Sequence, residues 1–176
     1  MSTGYPEECR AMTSGSGEDA LRLAGGDGIE ALSAGESGLR MKISPAVLRD
    51  VSVALRDHPE LQFRYPADLC GTDTGDDIHL WYRLWSQEHK RWAILDVVTP
   101  AANPVVPTVS DIWPGFDWHE RECFDMLGVR FEGHARDGNA ARMRILLPED
   151  WTGHPFRRDY KPVFSGDPLH GPQETN

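Results

Sequence analysis

Between residues 78 and 85 apolar and polar side chains take turns along the chain. Ile78, Leu80, Tyr82 and Leu84 fall to one side, and His79, Trp81, Arg83 and Trp85 to the other. Successive side chains of a strand point to opposite faces, so a period of two dictates a strand and excludes a helix. A second apolar run, residues 92–98, follows a loop through Gln87 and Glu88. The pair predicts a hairpin with both faces partly covered. Trp81, Trp85 and Trp92 are expected to crowd one face, and the reading favoured over a partner surface is that they fill the domain's own core.

Around this hairpin the periods change. Val47, Leu48, Val51, Ala54 and Leu55 form one apolar stripe with Arg49, Asp50, Ser52 and Arg56 facing away, which predicts a helix packed on the sheet. Ser44 is placed to cap it, Pro45 suits its first turn, and His58 before Pro59 ends it. Residues 61–65 read as a short strand and residues 71–77, rich in Asp, Thr and Gly, as a turn. Pro100, Pro104, Pro107 and Pro114 enforce an extended connection. Asp117 and Glu120 are spaced as a capping box for a helix over 118–127 that stops at Gly128. On it Cys123, Phe124 and Leu127 share a face, while Arg121, Glu122 and Asp125 lie on the others. Residues 144–147 read as a strand, and the proline-, glycine- and aromatic-rich chain from Pro148 as a tail that wraps another surface. Residues 1–40, with eight glycines and no sustained period, read as a disordered or weakly helical leader. The expected architecture is α+β: a leader over 1–40, a small mixed sheet with packed helices over 41–128, and an extended docking tail over 129–176.

The formal charge of −10 argues against nucleic acid, which needs a clustered cationic surface. Acids outnumber bases seven to three in residues 1–40 and fourteen to eight in 41–129, but balance at seven each in 130–176. In that balanced stretch Arg142, Arg144, Arg157, Arg158 and Lys161 stand beside acids and could pair across an interface, although a solvated surface suits composition alone. No run of about 18 apolar residues is present to span a bilayer. The N-terminus lacks a basic segment followed by an apolar one, so residence in the cytoplasm or on the cytoplasmic face of a membrane is expected. Cys9, Cys70 and Cys123 are far apart and form no CxxC, which leaves no zinc knuckle or iron–sulfur ligand set to write.

Chemistry-bearing patterns are few. His119 and Cys123, four apart, could share a helix face as zinc ligands do, with Glu120 beside them as in a zinc hydrolase. A third ligand would have to come from His134 or His154, and Cys123 fits the apolar face, so a structural role is favoured. Glu120, Glu122 and Asp125 could supply paired carboxylates, yet capping and ion pairing with Arg121 account for them more simply. Gly15, Gly17 and Ala20 have dinucleotide-fingerprint spacing but no preceding strand. Neither a nucleophile elbow nor a P-loop occurs.

One longer series stands out. Glu120-Arg121-Glu122, then Asp125-Met126-Leu127-Gly128-Val129, then Phe131-Glu132-Gly133-His134 are followed by Arg144-Ile145-Leu146-Leu147-Pro148-Glu149-Asp150-Trp151. Gly153-His154-Pro155-Phe156-Arg157-Arg158-Asp159-Tyr160 completes it. This ordered series resembles the signature of the 30-kilodalton subunit family of respiratory complex I, the NADH:quinone oxidoreductase of bacteria. The segment 135–143 is longer than is usual in the family and is expected to bulge, and Arg158 stands where lysine is common. The resemblance implies an α+β domain and a non-redox subunit of the peripheral arm, beside the large quinone-site subunit of the 49-kilodalton type and the iron–sulfur subunits. It implies that FMN, iron–sulfur clusters and quinone belong to those partners, and that the signature residues serve contacts between subunits and not catalysis. Related subunits serve membrane-bound hydrogenases and ferredoxin-fed complexes, so the electron donor stays open.

Overall fold

The computed structural model describes residues 16–35 and 38–161. Helix α1 (Ser16–Gly25) leads through a 3₁₀ turn, Gly26–Gly28, into strands β1 (Ile29–Gly35) and β2 (Gly38–Ile43). From residue 16 onward, therefore, the expected leader is folded, while residues 1–15 lie outside the described residues. Composition misled because the glycines sit where the chain turns or is crowded: a Cβ on Gly28 would meet Val47 at 2.5 Å. The apolar partners of this segment are also distant in sequence. Leu21, Met41 and Ile43 are buried in the common core, and β2 runs parallel to a strand some fifty residues on, Met41 opposite Leu95.

A second 3₁₀ turn, Pro45–Val47, precedes α2 (Leu48–Asp57), which buries Leu48, Val51, Ser52 and Leu55. Ser44 makes no side-chain cap, because the 3₁₀ turn intervenes. His58 is extended before Pro59 and ends the helix as expected. Residues 61–64 are not a strand. Leu61 and Phe63 alternate into the core, mimicking a period of two, but the Phe63 N–H donates to Leu55 and its carbonyl accepts from the Trp113 indole.

Strand β3 (Tyr65–Asp73) instead begins at Tyr65 and pairs with β4 (Asp77–Ser86) as far as Asp73 opposite Ile78, which shortens the expected turn to residues 74–76. With β5 (Arg91–Pro100) they complete a mixed five-stranded sheet in the order β1-β2-β5-β4-β3, parallel only at β2–β5. Ile78, Leu80, Tyr82 and Leu84 are fully buried on one face, as the alternation predicts. The three tryptophans do not join them. Trp81, Trp85 and Trp92 lie on the opposite face and stay half-exposed, Trp85 against Trp92 at 4.6 Å and the Arg83 guanidinium 4.1 Å above Trp92. The helix-covered face is already filled by the aliphatic residues, so period-two geometry sends the indoles outward.

Beyond the sheet, β6 (Val105–Pro107) pairs in parallel with β7 (Arg130–Glu132), bracketing α3 (Phe116–Leu127), and a short α4 (Ala140–Met143) follows. Helix α3 packs on β3 and lays Phe116 edge-on against Tyr82 at 5.4 Å. It ends at Gly128 with φ of 75°, the left-handed stop expected there.

Candidate functional site

Helix α3 presents a different acid to each of three surroundings. Its start is set by Gly115 without a side-chain cap, so the capping-box expectation fails. Glu120 points inward instead, fully buried, and accepts hydrogen bonds from the Val109 N–H at 2.8 Å and the Thr108 hydroxyl at 2.5 Å. Burial raises its carboxyl to about 7 against the pull of those two bonds. Asp117, the other supposed cap, accepts from Arg136 at 2.8 Å and stands 3.2 Å from His134 Nε2. Since His134 Nδ1 accepts from the Arg136 N–H, Nε2 carries the ring proton toward Asp117.

Asp125 lies in the last turn of the helix and is the centre of the arrangement. Its Oδ1 receives the Arg144 guanidinium at 2.7 Å, and its Oδ2 accepts the N–H groups of Ile145, Leu146 and Leu147 at 3.1, 2.7 and 2.9 Å. Three consecutive amides aimed at one oxygen make an anion-binding nest. A strand cannot do this, because its amides alternate in direction, and so residues 144–147 are a loop and not the expected strand. Asp125 itself is buried and not on a solvent face. Burial opposes its ionisation, but the Arg144 bond and the three amides outweigh that and hold its carboxyl below the ordinary value.

Arg144 turns the other way as well, donating to the carbonyls of Trp151 and Gly153 at 2.8 and 3.1 Å. Arg121 donates to the carbonyls of Met143 and Arg144. His154 Nδ1 meets the Asp125 carbonyl at 3.0 Å, and the Phe156 N–H donates to Met126. Arg157 pairs with Asp73 at 3.3 Å, while Arg158 donates its N–H to Asp73 and its guanidinium to the Thr74 carbonyl at 2.7 Å. Over residues 129–161 the tail is thus clamped on α3 and β3 and is not extended, while residues 162–176 lie outside the described residues.

The structure brings Arg121, Asp125, Gly128, Arg144, Gly153 and His154 into one network, with Arg157, Arg158 and Tyr160 at its far end. Gly133 and His134 belong to the separate Asp117 cluster, Gly133 donating its N–H to Asp137. The Glu122 side chain is exposed and bonds to none of the described residues, Pro148 is exposed, Asp159 is exposed 3.6 Å from the Arg157 guanidinium, and Pro155 is half-buried. In the long segment 135–143, Asp137 pairs with Arg130 and Asn139 caps α4, so it is tied down where a bulge was expected. Asp73, Thr108 and Arg136 were missed, and Asp117 was read only as a cap. Each acts through a partner at least eleven residues away, beyond any local pattern.

For the zinc reading, His119 bonds to the Gly115 carbonyl at 3.0 Å on a half-exposed face. Glu120, sealed inside with both oxygens bonded, has no access to a water at His119. No group of three His, Cys, Asp or Glu placed to hold a metal occurs among the described residues.

Gly128 shows how tightly the tail is seated. A Cβ there would fall 2.6 Å from the His154 ring, at a φ that L side chains resist. Gly128→Ala should lower the unfolding free energy by about 2 kcal/mol in urea titration, from left-handed strain plus displacement of the ring. Gly138→Ala, which also has positive φ but meets nothing within 4 Å, should cost less.

Residues 41–164 match the family described as respiratory-chain NADH dehydrogenase, 30 Kd subunit. The corresponding NADH-quinone oxidoreductase subunit from Acidothermus cellulolyticus is 40% identical over 138 residues, covering 76% of this chain and 69% of that protein. That of a Nocardioides species is 42% identical over 117 residues, 64% of this chain and 45% of the longer relative. Among solved structures, the trypsin-resistant fragment of Nqo5 superposes with a TM-score of 0.51 at 25% identity, over 66% of this chain and 96% of the fragment.

Proposed function

The chain belongs to the 30-kilodalton subunit family of respiratory-chain NADH dehydrogenase, and from that premise we propose that it is a non-redox subunit of the peripheral arm of a proton-translocating NADH:quinone oxidoreductase. In this role it holds the large quinone-site subunit and the iron–sulfur subunits in register while electrons pass from NADH to quinone. FMN, the clusters and the quinone are bound by those neighbours, and the chain meets the membrane only through the complex, on its cytoplasmic side. No helix among the described residues is long and apolar enough to cross a membrane.

One observation carries the reading. The ionised signature residues spend themselves on fixing the chain's own arm to α3 and β3: Asp125 on Arg144 and three amides, Arg121 on two carbonyls, Arg157 on Asp73. Groups committed in this way are unavailable for proton transfer or nucleophilic attack, but they give a subunit a fixed outer shape. The uncovered aromatic face at Trp81, Trp85 and Trp92 fits a chain whose surface is finished by neighbours. The names of the relatives favour NADH over hydrogen or ferredoxin as electron source.

Arg157→Ala combined with Arg158→Ala tests the role. Arg157 pairs with the enclosed Asp73 carboxylate and the exposed Arg158 reaches the Thr74 carbonyl, both at the end of β3, so the arm should loosen while the sheet still folds. Native gels of membrane extracts should show the assembled oxidoreductase reduced about tenfold, the scale of losing a charge-assisted contact. Normal abundance of intact complex would count against the arm as a docking element.

A further inference from the structure

Helices α1, α2 and α3 share one core with Leu80, Tyr82 and Leu84, and so they lie on one side of the five-stranded sheet. Side chains on the other side are exposed or half-exposed and fall into rows across the strands. Trp92, Trp85 and Tyr65 make one row, and Arg40, Ile94, Arg83 and Asp68 the next. In the second row Arg83 sits over Trp92 and does not bond to Asp68 beside it. Arg40 and Asp68, at the two ends, are both exposed and have no partner among the described residues. Charges on this face balance, with Arg40, Lys42 and Arg83 against Asp68, Asp96 and Glu30, the last bound to Lys42 at 2.7 Å. The chain as a whole carries −10.

We infer that the chain, apart from any complex, pairs with a second copy of itself through this face, about a two-fold axis running along the strands between β4 and β5. The second row selects that occupant. Any surface laid on it must set a carboxylate against Arg40 and a cation against Asp68, three strand spacings or about 14 Å apart, with apolar groups between. The axis turns the row onto itself and supplies both. Arg40 of each copy meets Asp68 of the other, and Ile94 lies over the aliphatic stem of Arg83. The same operation lays Trp92 of one copy on Trp85 of the other, where offset rings stack well. Sheets packed face to face keep their strands roughly aligned, as this axis requires. Five strands about 4.8 Å apart and about 28 Å long offer roughly 650 Å² per copy, against about 600–1,000 Å² per partner in stable interfaces. A strongly acidic or basic partner fits less well, because a face without net charge gives it no preference, and a lipid tail leaves both end charges unanswered. Such pairing is independent of the subunit role, for it needs no other protein.

The test uses the full chain purified alone. Analytical ultracentrifugation at micromolar concentration should give twice the chain mass, falling to the single mass on dilution. Arg40→Asp, or Asp68→Arg, sets like charges together at two places and should weaken pairing at least about a hundredfold. The double variant exchanges the two signs and should restore it. Both side chains are exposed and unpartnered, so each variant should keep the parent's urea midpoint. Glu122→Arg reverses an exposed charge on α3, away from this face, and should pair as the parent does. Tryptophan emission gives a second reading: it should move to longer wavelength as the parent is diluted, and already lie there in both single variants. A parent that stays monomeric would overturn the inference, whether a neighbouring protein or residues 1–15 or 162–176 then proved to cover the face. A dimer that survives either reversal, or a double variant that stays apart, would overturn it equally. Each of these outcomes leaves the subunit role, read from native gels, standing.

Discussion

Asp125→Ala should cost the chain about 4 kcal/mol of unfolding free energy and free residues 144–160 to proteases before the sheet unfolds. The size follows from what one carboxylate holds. Removing it strands the Arg144 guanidinium, whose side chain is 7% exposed, and leaves three amides without an acceptor. A buried charge stripped of its partner costs about 3–5 kcal/mol, more than the intact pair contributes over an apolar substitute. Asp125→Asn should lie in between, since an amide oxygen can still face the nest but no longer balances the cation. Because the folded carboxyl is held below its ordinary value, its contribution is complete above the unfolded value of about 3.8 and disappears as pH falls through the folded one. Urea titration of the whole chain at neutral pH, with Glu122→Ala as an exposed comparison expected within about 0.5 kcal/mol of the parent, reads the difference. A loss below about 1 kcal/mol for Asp125→Ala would mean that the arm is held by its backbone and apolar contacts alone.

That same carboxylate marks the limit of what the sequence discloses. Residues 78–85 declare their strand because alternation is a local signal, and Gly128 declares a helix end because only a left-handed stop needs it. Asp125, by contrast, looks like any acid on an outer helix face. Its burial is decided by residues 144–147 returning from about twenty positions away, and no window over 118–127 contains them. Asp73 is the same case at greater range: in a run of Asp, Thr and Gly it signals a turn, whereas its partners, Arg157 and Arg158, are some 85 residues distant. The tryptophans failed for another reason. Alternation shows which residues share a face but not which face receives the helices, and large aromatics bias the choice inward. The signature series, with its fixed order over residues 120–160, carried the family where these local rules stopped, but not the contacts by which those residues act.

Glu120 offers the second large effect, with the opposite dependence on pH. Its carboxyl has no exposure, and burial outweighs the Thr108 and Val109 bonds to raise it from 4.5 to about 7, with Asp111 and Asp117 pushing the same way. A group raised on folding binds its proton more tightly in the native chain. The stability it contributes is therefore complete below the unfolded value and is lost as pH rises through the folded one. At about 1.4 kcal/mol per unit, the chain should lose roughly 3 kcal/mol from this group between pH 4.5 and pH 8. The carboxylates lowered by their partners, Asp125 and Asp73 among them, lose their contribution at the acid end, so stability should peak near the start of this decline. Glu120→Gln keeps an acceptor for the Val109 N–H but cannot ionise, and it should flatten the curve above about pH 5 and exceed the parent at pH 8. Thr108→Val removes a donor that favours the ionised form, and should carry the decline to higher pH. Urea midpoints across this range, taken for the parent and both variants, decide the matter: if Glu120→Gln follows the parent's slope, the titrating group lies elsewhere.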